Sequence, residues 1–81
     1  MTIRSELEPW IVEAITRHGG KASVVAIAKE IWTNHRREIE ARGNALYTWQ
    51  YDMRWAGQSL QKQGKLSKSR SGWSLTTGVE E

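Results

Sequence analysis

Gln50, Arg54, Gln58 and Gln61 follow one another at offsets of four, four and three residues, a spacing that gathers them on one side of an α-helix. Their shared chemistry is hydrogen bonding to base edges. A guanidinium can bridge O6 and N7 of guanine, and a glutamine amide can bridge N6 and N7 of adenine, so a helix carrying this row suits the major groove of duplex DNA. The competing reading is a plain solvated face, because Gln and Arg are good helix formers wherever packing does not decide. Basic residues continue beyond the row at Lys62, Lys65, Lys68 and Arg70. From residue 53 to 79 these four and Arg54 meet no acid, whereas over residues 1–40 acidic and basic side chains cancel. The net charge of +3 therefore resides in the C-terminal half, where it can follow a phosphate backbone.

Catalytic chemistry finds no comparable pattern. The chain has no cysteine, which removes thiolate nucleophiles, disulfides and Cys-based zinc sites together. His18 and His35 have no third ligand in phase, there is no glycine-rich phosphate loop, and neither Ser23 nor Ser59 has a base placed for it. The expectation is a binding protein with no catalytic residues, no metal and no cofactor.

The elements that must position the row follow from the hydrophobic pattern. Ser5 and Glu8 have capping-box spacing and Pro9 suits a first turn, so a first helix starts between residues 5 and 9 and carries Trp10, Ile11, Ala14 and Ile15 to the Gly19-Gly20 stop. Lys21-Ala22 is a minimal extended piece. Ser23 caps a second helix with Val24, Ile27, Ala28, Ile31 and Trp32 on one side, and the polar run 34–42, with only Ile39 in phase, reads either as its extension or as a separate turn. Thr48 caps a third helix, Asp52 complements its dipole, and Gly64 ends it. Trp49, Met53, Ala56 and Leu60 are its buried stripe, with Trp55 on a flank. Gly57 costs the helix ~1 kcal/mol in propensity and reads as room for an approaching phosphate or sugar. Residues 65–67 and 73–76 flank a polar tip at 68–72 and form a β-hairpin; Thr77–Glu81 reads as a frayed tail. Five Trp in a chain that is 38% hydrophobic point to a core built around tryptophan. The sum is one α+β domain over residues 1–81, ordered over roughly 5–76: a small winged helix of three helices plus a C-terminal hairpin wing.

The run Tyr47-Thr48-Trp49-Gln50-Tyr51-Asp52-Met53-Arg54-Trp55-Ala56, then Leu60, Lys62, Gly64 and Leu66, then Gly72-Trp73-Ser74-Leu75-Thr76 and Gly78, resembles the N-terminal winged-helix domain of Mrr-type restriction proteins. The resemblance covers residues 44–78 and reaches the first two helices only through their order and apolar phase. It implies a bacterial-type, cytoplasmic DNA-binding module of a restriction system. The nuclease that accompanies this domain in the family has no counterpart here, so cleavage is not implied.

The expected partner is duplex DNA, met by Gln50, Arg54, Gln58 and Gln61 from the helix and by Lys62, Lys65, Lys68 and Arg70 around the wing. So few cations make a weak binder, which a homodimer or an effector subunit would strengthen. No membrane is expected, since no apolar run approaches the ~18 residues of a span. The alternative is a protein-interaction module using the same surface, a reading that exposed Tyr47, Trp49 or Tyr51 would favour.

Overall fold

The computed structural model describes residues 3–76; Thr77–Glu81, expected as a tail, lies outside them. Three helices, α1 (Arg4–Arg17), α2 (Val24–Ala41) and α3 (Ala45–Lys62), are joined by the short strand β1 (Lys21–Ala22) and followed by the hairpin β2 (Leu66–Ser69) and β3 (Gly72–Leu75). The strands form one antiparallel sheet in the order β1-β3-β2, which with the helices makes the α+β winged helix expected from the sequence.

Helix starts follow burial more than capping signals. Ile3 and Leu7 are buried and extend the apolar stripe of Ile11, Ala14 and Ile15 upstream. α1 therefore begins at Arg4, the Ser5–Glu8 capping box does not form, and Pro9 stands inside the helix. α3 begins at Ala45, three residues before the expected Thr48 cap, because Ala45 is itself buried. The Thr48 hydroxyl instead donates to the Asn44 carbonyl within the helix. Ser23 does cap α2, accepting from the Ala26 N–H at 3.1 Å.

The polar run belongs to α2 through Ala41, with Arg42 as its C-cap, and crosses a kink at His35, whose φ of −127° and ψ of 21° leave the helical region. The imidazole stacks on Trp10 at 4.1 Å, and its Nε2 lies 3.0 Å from Glu13. Past the kink, Ile39 returns to the core and is fully buried. That core is aliphatic. Leu7, Ile11, Ile15, Ile27, Ile31, Ile39 and Met53 are its largest fully enclosed side chains; Trp49 and Trp73 are buried, whereas Trp10 and Trp32 are half-buried and Trp55 is exposed. The core expected around tryptophan is thus found only in part: Trp49 and Trp73 stand inside it and Trp10 and Trp32 at its margin, while isoleucine and other aliphatic chains fill most of the narrow space between the three helices.

The wing is tighter than expected. Ser69 pairs with Gly72, leaving only Arg70 and Ser71 at the tip. Gly72 has φ +144°, and a Cβ there would collide with the Ala22 carbonyl, so glycine is what allows β3 to run against β1. Trp73 pairs with Ala22 on one side and Lys68 on the other. Its ring then lies on α3 at Gly57, where an added Cβ would sit 2.6 Å from Cη2. Gly57 accordingly makes room for an indole of the wing, not for a phosphate.

Gly57→Ala should destabilise the fold by about 1–3 kcal/mol in chemical denaturation, overpacking outweighing the ~1 kcal/mol of helix propensity gained. The Glu13 pKa is lowered, first by its hydrogen bond with His35, against a smaller opposing effect of desolvation. A depressed carboxylate pKa adds stability that is present above its unfolded value near 4.5 and disappears as pH falls through the folded value. His35→Phe, which keeps a ring against Trp10, should flatten the loss of stability below that pH, measured as denaturation midpoints from pH 6 to 3.

Candidate nucleic-acid interface

α3 turns Trp49, Met53, Ala56, Gly57 and Leu60 inward, and Gln50, Arg54, Gln58, Gln61 and Lys62 outward into solvent. The buried stripe expected from the sequence is therefore the one observed, and the row opposite it is free. The row is not a single line, however. Gln50 and Arg54 border the groove between α3 and α2, while Gln58 and Lys62 border a second groove between α3 and α1 that also contains Trp55. Residues at offsets of four drift around the helix, and over three turns the drift carries them from one flank to the other.

Lys65 follows the helix and is exposed, and Arg70 stands exposed at the hairpin tip. Lys68 is half-buried, its Nζ 5.0 Å above the Trp73 ring. Burial lowers its pKa, and repulsion from Arg54 lowers it further. Arg54 of the helix thus acts on Lys68 of the wing through charge, and Trp73 lies beneath the second of them. Among the described residues, no hydrogen bond joins Gln61, Lys65 or Arg70 to either cation.

Ion pairing divides the molecule. Arg4 pairs with Asp52 at 3.0 Å, Arg17 with Glu13 and Glu30, Arg36 with Glu40, and Arg42 with Glu6. Asp52 thus serves the start of α1 instead of the dipole of its own helix. Among the described residues, Arg54, Lys62, Lys65, Lys68 and Arg70 form no ion pair with any carboxylate, and in the N-terminal half Lys21, Lys29 and Arg37 form none either. An exposed cation without a partner costs little in water. Several on one surface create a positive potential that a polyanion can neutralise with release of counterions.

Beside the row runs a feature that the sequence only partly discloses. Tyr47 is 84% exposed, Tyr51 61% and Trp55 43%, at successive offsets of four. Tyr51 meets Trp55 edge-on at 6.3 Å, and the Arg4 guanidinium lies 5.4 Å from the Trp55 ring centre. Trp49, grouped with the tyrosines as a candidate for exposure, is buried and stacks on Trp32. The signal is present in the phase: positions 47, 51 and 55 stand two residues from 49 and 53, about 200° around the helix.

Among the described residues no group of three or more His, Asp or Glu side chains could hold a metal ion, and no helix is long and apolar enough to cross a membrane. No family model matches the chain, and neither a curated protein nor a solved structure matches it.

If Arg54 depresses the Lys68 pKa through space, Arg54→Ala should raise it toward the ordinary lysine value, while Gln50→Ala should leave it in place. Side-chain Nζ titration by NMR reads the difference.

Proposed function

We propose that this chain is a winged-helix protein that binds duplex DNA through α3 and the wing, without catalytic activity. The carrying observation is the run of unmatched charge: Arg54, Lys62, Lys65, Lys68 and Arg70 on α3 and the wing lie in a stretch, residues 53–76, that contains no acid, and form no ion pair among the described residues, whereas Arg4, Arg17, Arg36 and Arg42 are matched by carboxylates. In this reading α3 enters the major groove with Gln50, Arg54 and Gln58 toward base edges and Gln61 toward its wall. Lys62, Lys65, Lys68 and Arg70 contact phosphates on either side. The repulsion that Arg54 exerts on Lys68 is consistent with it, because a phosphate near both cations would offset that repulsion.

The likeness of residues 44–78 to Mrr-type N-terminal domains supports the same reading, and a cytoplasmic, bacterial-type restriction setting is part of the proposal. The monomer is a weak binder, in the micromolar range or above typical of few phosphate contacts, so a second copy or an effector subunit supplies the remaining affinity.

The exposed Tyr47, Tyr51 and Trp55 favour a second reading, in which the same helix meets a protein partner. Tyrosine and tryptophan are enriched in protein interfaces, where a rigid ring covers large area at low entropic cost.

Titrating a fluorescent duplex at several salt concentrations decides between them. The double variant Arg54→Ala/Lys68→Ala should weaken binding and flatten the salt dependence by about 0.9 in slope for each phosphate that is no longer neutralised. Unchanged binding would refute the assignment. Amide shifts confined to residues 48–72 on adding duplex support the first reading, and the absence of any shift at low salt supports the second.

A further inference from the structure

We propose that the trough between the N-terminal half of α2 and the first half of α3 is the docking site for an acidic amphipathic α-helix of a partner protein. Val25, Ala28 and Trp32 enter it from α2 at offsets of three and four, and Leu46, Trp49 and Met53 enter it from α3 at the same two offsets. Each set is a helical stripe about two turns, or ~12 Å, long. Two such stripes side by side present the ridges and grooves into which a third helix packs, and no other element of the described chain lines the trough. Its floor is the stacked pair Trp32–Trp49, with ring centres 5.9 Å apart. Its volume is ≈ 540 Å³, and Val25 on its wall is 66% exposed, a large apolar side chain left uncovered at the start of a helix.

Charge selects the occupant. Lys29 and Arg54 stand on opposite walls, neither pairs with a carboxylate among the described residues, and no acid lines the trough. The N-terminal end of α2 adds its partial positive charge to the same rim. A helix with leucine-type residues at offsets of three and four and Asp or Glu on both shoulders satisfies walls and rim together; a basic helix would bury its cations against two others. Gln50 and Arg54 belong to this rim and also to the DNA-facing row, so helix and duplex exclude one another, a consequence that rests on the DNA reading.

The test joins to the C-terminus of the full chain, through a flexible Gly/Ser linker, a leucine-striped helix of about 14 residues (~21 Å) flanked by Glu. A control fusion carries Lys in place of Glu. Tethering supplies an effective concentration in the millimolar range, so even a generic helix of weak affinity registers. The acidic fusion should shift the amides of Val25, Ala28 and Leu46, and the Lys fusion should not. Val25→Glu, on an already exposed side chain, should abolish the shifts. Lys29→Glu/Arg54→Glu should exchange the preference so that the Lys fusion now registers. Equal shifts from both fusions, or none from either, overturn the proposal, as does a concentration-dependent dimer of the unfused chain that Val25→Glu dissolves, since the occupant is then a second copy. If the unfused protein binds duplex, the acidic fusion should bind it at least about tenfold more weakly. If it binds none, the DNA reading fails on its own and the amide shifts still decide the docking site.

Discussion

The indole of Trp73 against Gly57 is the contact on which the rest of the molecule turns. β3 is the central strand, held by β1 on one edge and β2 on the other, and Trp73 is its deeply inserted side chain. Because α3 offers no Cβ at position 57, the ring reaches the helix backbone, and sheet and helix become one rigid unit. The same ring lies 5.0 Å from the Lys68 ammonium, so the wing cation is held by packing and not by a surface ion pair. Gly72 completes this arrangement from the strand side, since only a residue without Cβ lets β3 approach the Ala22 carbonyl.

Electrostatics is laid over this frame unevenly. Glu6, Glu13, Glu30 and Glu40 of α1 and α2 are taken up by nearby arginines, and Asp52 of α3 reaches Arg4 across the helix interface. Asp52 takes the one acid of α3 to the α1 side, which leaves the opposite flank, toward α2 and the wing, positive. The sequence registers the imbalance as counts in two halves of the chain. The three-dimensional arrangement turns it into a difference between two sides of a single helix.

Much of the fold is legible in the sequence because burial imposes a period. The stripe Trp49, Met53, Ala56 and Leu60, the Ser23 cap and the short β1 are all stated by local spacing and stand where that spacing put them, and the hairpin around Trp73 is there with a shorter tip. Misreadings cluster where a local signal competes with a distant contact. Ser5-Glu8 and Thr48 have the chemistry of caps, but Ile3 and Ala45 gain more from burial than the caps would supply, so the helices lengthen past them. The ambiguity at 34–42 resolves through Trp10 and Glu13, residues more than twenty positions away that hold the His35 ring at the kink.

The candidate site divides along the same line. Which side chains of α3 face solvent was settled by the sequence, because the buried phase of a helix dictates its exposed phase: Gln50, Arg54, Gln58 and Gln61 are outside, and Tyr47 and Tyr51 had to be outside with them. What flanks each of them was decided by tertiary structure alone. The row parts between two grooves, Arg54 comes near Lys68, and Gly57 serves Trp73 because α1, α2 and the wing dock at particular angles around α3. A period of 3.6 residues records orientation about a helix's own axis, and it holds no information about the elements that other segments bring to that helix's sides.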